Sequence, residues 1–531
     1  MGVSAPVATP TALLRASTRR AGRRAAPVFV AVVALSLVYL GTRLVDLAGL
    51  PVFYDEADYT VVAIALGRAP LHTNPFLLMT YWGVPPLYTW VAAWPATAAA
   101  NPLLAARLVS VVVGLVGLPA VLWCGWAVGG RSTGLLAGLF YVVSPFLLFF
   151  QRMALVDPLL TTVSAYALAA TIEMVRQPHM RAALLLGICL SLAVLTKATG
   201  PLLFSLPAVA LACTHGQRRQ VLRYALVAWV IGAAAELLLF TVSDSGAMVG
   251  ILSQHHQSAS YIRLVVSSLS TIGVTLWVYC TPPVFLLALW GVRTLWRTVE
   301  GRVIAAWFVL AGAPFLLVHE GLTSRYLLPM VVPLVVLAAR GAVALGVHAG
   351  EVRPFRPRHG GQKVRALLAV AAVSMVVVLS AWQDAPIVND ARAAALTPDD
   401  RAQYIDRWPA GYAIEEALRV IRRDAQGRAL DLVVSSDSRV GNAVITLTID
   451  DGSTRTLVRG LGALTCSTVP RATGRATYII TLRPFDPTLN LGRLGLHLLA
   501  RVPDEARDAV VDVYAVSSTP SCYTSSLAGA L

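Results

Sequence analysis

The sequence predicts a polytopic α-helical membrane protein. It has about eleven transmembrane helices, interfacial helices in the first outer loop, and a C-terminal extracytoplasmic α/β domain. Three observations carry this. Of 531 residues, 56% are hydrophobic and only 13% charged, where a soluble domain carries about 25% charged residues. Apolar runs that approach or exceed the roughly 20 residues of a bilayer span recur along the chain. From about Gln383 the composition changes and charges rise.

The spans fall near 27–46, 103–128, 133–150, 158–175, 182–196, 200–214, 223–243, 265–291, 302–319, 326–346 and 366–382. A basic arm, residues 1–26, precedes them, and the run that follows is long for a signal core, so it reads as an uncleaved anchor. Residues 75–98 are apolar but interrupted by Pro75, Pro85, Pro86 and Pro95, which suits interfacial helices rather than a span. The formal charge of +15 is no sign of nucleic acid, because the arginines cluster between apolar runs. Arg15 to Arg24, Arg131, Arg176 and Arg181, Arg218 to Arg223, Arg293 to Arg302 and Arg353 to Arg365 occupy alternate connections. By the positive-inside rule that face is cytoplasmic. The expected location is a bacterial plasma membrane, with the N-terminus inside and the tail outside.

The transmembrane part covers residues 27–384, and residues 385–531 form the outer domain. In the tail, 432–434, 444–447, 478–480 and 511–514 read as strands and Tyr412 to Arg423 as a helix. Asp399-Asp400, Arg422-Arg423-Asp424 and Asp450-Asp451-Gly452 read as surface and turn residues. Cys124, Cys189, Cys213 and Cys280 lie in apolar runs as packing residues. Cys466 and Cys522 lie in the tail, where a disulfide and two free thiols both stand.

The outer connections hold a different set of residues. Tyr54-Asp55-Glu56-Ala57-Asp58 brings three carboxylates to the end of the first span, where burial near lipid is costly. A partly desolvated Asp55 would have a raised pKa and could accept a proton; a solvated loop is the plain alternative. Asp58 reads as a solvated neighbour. Asp157 precedes Pro158 and suits a helix N-cap, or a second carboxylate facing the first. Arg152 could pair with it or hold phosphate. Lys197 is one of two lysines, with Lys363, in a chain that otherwise uses Arg; it can anchor a phosphate or snorkel to headgroups. Arg325 opens a span from the same side. His255 and His256, with Glu56, are candidate ligands for a divalent metal, the one cofactor the chain suggests.

Four motifs carry a resemblance: Tyr54-Asp55-Glu56, the run Arg152 to Pro158, the run Leu195 to Pro201, and Ser324-Arg325-Tyr326-Leu327-Leu328-Pro329. In this order the chain resembles the C-type (GT-C) membrane glycosyltransferases, in the branch of bacterial protein O-mannosyltransferases and aminoarabinose-lipid A transferases. The likeness is strongest over 27–215 and weaker to 385. It implies a glycosyltransferase that takes a sugar from a polyprenyl-phosphate donor to a hydroxyl of a lipid, glycan or protein acceptor at the outer membrane face. It implies Asp55 as base or acceptor-orienting group, Glu56 as its partner with a metal role open, and Asp157 as the second-loop acid. Arg152, Lys197 and Arg325 sit where donor-phosphate contacts are expected. His255 and His256 are not a clear match to the family. The rival class is a transporter or lipid flippase, but the chain shows no internal repeat and its polar residues gather at one face.

Overall fold

The computed structural model describes residues 10–77, 79, 83–242, 261–313, 323–347, 359–435, 454–459, 474–483, 496–504, 506 and 510–516. The His255–His256 pair, the 444–447 run, the Asp450-Asp451-Gly452 turn, Cys466 and Cys522 lie outside them.

Among the described residues six helices are long and apolar enough to cross a membrane: Ala26–Leu44, Pro102–Val142, Asp157–Arg176, Arg218–Thr241, Ser324–Gly346 and Val364–Asn389. Two shorter apolar helices, Met180–Thr196 and Gly200–Cys213, stand where two further spans were expected. The stretch expected as one span at 265–291 is broken. Val265–Tyr279 and Pro282–Leu295 meet at 111°. Pro282 and Pro283 open the second segment, and proline lacks the N–H that would continue the first. Several helices turn apolar side chains outward: Phe29, Leu37, Val230, Leu237, Leu286, Val370 and Trp382 are all at least half exposed. Such a surface is stable against lipid and not against water, which makes this a multi-pass membrane protein.

Pro102–Val142 is one stretch of helix only by its hydrogen bonds. Gly130, at φ 76° and ψ −169°, folds it back into two antiparallel limbs, where two spans were expected. That conformation is essentially closed to other residues. The limbs then touch backbone to backbone, since a Cβ on Gly125 would lie 2.6 Å from the Gly134 Cα. Asn101 caps the first limb by accepting from the Leu104 N–H at 3.0 Å. The bundle also buries cations that the sequence does not single out. Arg43 is fully buried, donates to the Val142 carbonyl at 2.6 Å and the Gln151 Oε1 at 3.3 Å, and lies over the Tyr39 ring.

Two helices run beside the bundle between the first span and the hairpin. Leu87–Ala98 is helical, within the 75–98 stretch expected to form interfacial helices. Tyr54–Arg68 was expected as a loop and is helical. Its acids in the first turn suit the positive end of the helix.

Among the described residues, the C-terminal part forms a five-stranded mixed sheet in the order β2-β1-β3-β5-β4. Its strands are β1 Ala429–Ser435, β2 Thr454–Arg459, β3 Arg475–Arg483, β4 Leu496–Pro503 and β5 Val510–Val516. β1 pairs in parallel with β2 and β3, and β5 pairs antiparallel with β3 and β4. Val433 opposes Ile479, and Ile480 opposes Val513, so the buried branched residues expected for strands share the sheet centre. The helix Tyr412–Ala425 packs on β4 and β5 through Ile414, Leu418 and Ile421. Cys124, Cys189 and Cys280 are buried free thiols, and Cys213 is half-buried and free.

The hairpin contact predicts that Gly125→Ala costs about 1–3 kcal/mol, because backbone cannot yield to the new methyl as a flexible side chain would. A thermal melt of the purified variant checks this as a lowered midpoint; an unchanged midpoint contradicts it.

Candidate active site

The first turn of the Tyr54–Arg68 helix divides its carboxylates, because neighbouring helical residues point about 100° apart. Glu56 turns inward and is fully buried. Its two oxygens take a bidentate pair from Arg107, from Nε at 2.8 Å and Nη2 at 2.7 Å. They also accept the Phe53 N–H at 3.2 Å and the Ala154 N–H at 2.6 Å. Arg107 further donates to the carbonyls of Leu47, Leu50 and Pro51, each at 2.9 Å. The pair thus pins residues 47–56, the hairpin and the 152–157 connection to one another. Both oxygens of Glu56 are thus engaged in holding Arg107 and the backbone in place.

Asp55 turns the other way and pairs with Arg325 Nη2. Asp157 pairs with Lys197, and its other oxygen lies 3.7 Å from Arg325 Nε. The result is a chain of alternating charge: Asp55, Arg325, Asp157, Lys197. Local structure explains each position. Asp157 is the first residue of the Asp157–Arg176 helix rather than its N-cap, which is Val156; its charge complements the helix dipole. Lys197 is the C-cap of Met180–Thr196, where a cation is equally favoured. Arg325 sits in the one-turn 3₁₀ segment Ser324–Leu327 that opens the next helix. Tyr326 lies under the Lys197 ammonium, 3.3 Å from Nζ to the ring centre, and Phe53 lies beside the Arg325 guanidinium at 5.7 Å.

The chain is buried but not saturated. Arg325 Nη1 and Nε and Asp157 Oδ2 have no hydrogen-bond partner among the described residues. A buried guanidinium with open donors is a preformed receptor for anionic oxygens.

Two groups that complete the site come from beyond the last span. Asp400, expected as a surface residue, is fully buried. It accepts from Ser324 Oγ at 2.7 Å and Tyr279 Oη at 2.6 Å, and so holds the residue beside Arg325. Burial pushes its carboxyl above the usual range. Tyr404 packs on Phe53 with ring centres 4.6 Å apart and planes tilted by 52°, and its hydroxyl has no partner among the described residues. The segment Thr397-Pro398-Asp399-Asp400 is a helix start, with Thr397 Oγ1 accepting the Asp400 N–H at 3.2 Å, but its long-range contacts leave no local signal in the sequence.

Arg152, expected beside the phosphate contacts, is buried elsewhere. Its Nη2 donates to the Asp46 carbonyl at 2.7 Å, and burial lowers its pKa to about 10. Asp58 is also placed differently from expectation. It is half-buried, and burial, with the nearby Asp55 charge, pushes its carboxyl up to about 7. No three acid, histidine or cysteine side chains converge on a metal position among the described residues. Asp55, Asp157 and Glu56 face cations, and His255 and His256, the other expected ligands, lie outside the described residues.

Residues 54–243 match the family model described as dolichyl-phosphate-mannose-protein mannosyltransferase. That span opens on the helix bearing Asp55 and includes Asp157 and Lys197. Among solved structures, the chain is similar to ArnT from Cupriavidus metallidurans in the apo state, with a TM-score of 0.58 and 15% identity over 93% of this chain and 99% of that one. It is similar to the same protein bound to undecaprenyl phosphate, with a TM-score of 0.51 and 16% identity over 91% and 97%. It is also similar to the Archaeoglobus fulgidus oligosaccharyltransferase in complex with Zn and sulfate, with a TM-score of 0.53 and 11% identity over 85% and 67%. No curated protein matches by sequence.

Removing the Arg107 side chain leaves Glu56 buried and unpaired, which costs about 3–5 kcal/mol. Arg107→Ala is therefore expected to melt far below wild type, while a surface control such as Arg423→Ala stays within about 0.5 kcal/mol. Equal melting of the two variants contradicts the clamp.

Asp58 predicts a pH effect of defined sign. Its folded pKa lies above the unfolded one, so the unfolded chain binds fewer protons between about pH 4 and 7, and stability falls as pH rises through that window. Asp58→Asn removes this loss. Thermal midpoints from pH 4 to 8 should show the variant gaining on wild type as pH rises; parallel curves contradict it.

Proposed function

We propose that this chain, which has the fold of the C-type membrane glycosyltransferases, transfers a hexosyl or pentosyl unit from a polyprenyl-phosphate sugar to an acceptor hydroxyl. The reaction takes place at the extracytoplasmic face of the plasma membrane. The observation that carries this is the buried chain of Asp55, Arg325, Asp157 and Lys197, with open donors on Arg325. It combines a carboxylate for the acceptor with cations for a phosphate, among helices that give a lipid tail access from the bilayer. Two comparisons support the donor class. The matching family model is that of a dolichyl-phosphate-mannose user, and a structural neighbour is bound to undecaprenyl phosphate.

The chemistry follows from the residues. The acceptor hydroxyl loses its proton to Asp55 as its oxygen attacks the anomeric carbon. The bond from that carbon to the phosphate oxygen breaks, and the electron pair leaves with polyprenyl phosphate. Charge develops on the departing phosphate, where Arg325 and Lys197 hold it without reorganising. Asp157 keeps both cations in place before the donor arrives. It also lowers the cost of burying two like charges near each other. A single displacement inverts the anomeric centre. Arg152, whose Nη2 donates to the Asp46 carbonyl, has no part in this proposed step.

The test is turnover of a panel of polyprenyl-phosphate sugars by purified protein in nanodiscs. Lys197→Ala should lower turnover about 10²–10³-fold and Asp55→Asn about 10²–10⁴-fold, each measured on protein shown by melting to be folded at the assay temperature. Undiminished turnover in Asp55→Asn, or product with retained stereochemistry, contradicts the mechanism.

A further inference from the structure

The position of Arg152 has a use of its own. The residue is 2% exposed. One nitrogen is bound to the Asp46 carbonyl, but Nε and Nη1 have no partner among the described residues. The side chain lines a cavity of about 250 Å³ together with Asp46, Asn389, Asp390, Tyr412 and Glu415. Burying a guanidinium without acceptors is costly. Its open donors call for oxygens from whatever fills the cavity.

The lining decides which oxygens. Asp46, Asp390 and Glu415 put three carboxylates around the space against the guanidiniums of Arg152, Arg392 and Arg419, so the lining has no net positive charge to hold a phosphate or a carboxylate. The remaining cations are already engaged. Arg419 lies 3.5 Å from Glu415 and 2.5 Å from Glu416, and Arg392 stacks over the Tyr412 ring at 4.2 Å. Carboxylates accept hydroxyl protons, and a guanidinium donates to hydroxyl oxygens, so a neutral polyol satisfies both kinds of group at once. The volume is below the roughly 300–1,000 Å³ of sites for drug-sized ligands and suits a single sugar unit.

The cavity is tied to the transfer site through the Glu56–Arg107 pair. Residues 46–50 form one wall, and the Glu56–Arg107 pair holds them through the Leu47 and Leu50 carbonyls. Arg152 stands two residues before Ala154, which donates to Glu56, and five before Asp157. The turn at Asp46 takes the left-handed φ of 46°, and the Asp46 carboxylate lies where a Cβ on Gly49 would stand. That conformation is unusual for a residue other than glycine, and such turns gather at functional sites.

We propose that this cavity binds one sugar residue of a glycan acceptor, next to the residue whose hydroxyl is glycosylated. The proposal rests on the transferase reading and specifies the acceptor as a glycan. Tyr412 and Glu415 bring the C-terminal domain into acceptor selection, while Arg325 and Lys197 of the helical part hold the donor phosphate.

The test is saturation-transfer NMR on the full chain in nanodiscs, with methyl glycosides of glucose, galactose, mannose and arabinose as probes and inorganic phosphate as competitor. At least one glycoside should bind wild type. Arg152→Met and Glu415→Gln, each shown to be folded by melting, should weaken it about tenfold or more. Asp55→Asn should bind it as wild type does. Three results overturn the proposal: no glycoside binds, binding is indifferent to both cavity substitutions, or equimolar phosphate displaces the sugar. Donor turnover, measured on the same preparations, separates the two readings. Turnover without glycoside binding removes the cavity assignment alone. Glycoside binding that depends on Arg152, without turnover of any donor, supports a saccharide cavity and removes the transferase reading.

Discussion

The Glu56–Arg107 pair is the contact on which the rest of the site depends. It is fully buried, bidentate and hydrogen-bonded on every side. Such a pair adds little net stability over an apolar core of the same shape, yet it is very costly to break. What it supplies is position. Arg107 gathers three carbonyls of the 47–51 turn, and Glu56 gathers the Ala154 N–H. The first outer connection and the second are thereby locked together. Asp55 and Asp157 each lie one to three residues from an atom of this clamp. Their separation is therefore set by a rigid element rather than by two independent loops.

The second constraint is charge alternation. Each ion of the Asp55, Arg325, Asp157, Lys197 chain would be costly to bury alone. Together they are tolerable, because every carboxylate faces a cation and each terminal pair sits at the favourable end of a helix. The residual cost remains in the open donors of Arg325, where a phosphate would bind. Asp400 extends this support to the far side by tying Ser324 and Tyr279. The bend between Tyr279 and Pro282 places that tyrosine within reach of the segment beyond the last span.

Much of this was legible in the chain. Charges at the margins of apolar runs are expensive, so Asp55, Asp157, Lys197 and Arg325 stood out by position alone, and the structure brings these four together. Direction was not legible. Arg152 has the same sequence surroundings as its neighbours but points into another cavity. Asp55 and Glu56 separate only once residues 54–68 are seen to be helical. Asp58 looked solvated because burial depends on what packs over it. Asp400 could not be found locally, since its partners lie 76 and 121 residues away. In the sheet, β1, β3 and β5 carry the branched runs that mark buried strands. β2, with alternating Thr454-Arg455-Thr456, and β4, with its register shift between Leu498 and Ala500, lack that mark.

The central claim is that the buried charge chain receives the phosphate of a polyprenyl-linked donor. Titration of the purified protein in nanodiscs with a short-chain polyprenyl phosphate, followed by intrinsic tryptophan fluorescence, tests it most directly. The account predicts saturable binding that Lys197→Met weakens by about tenfold or more, with the fold intact. Equal affinity in wild type and Lys197→Met would contradict it.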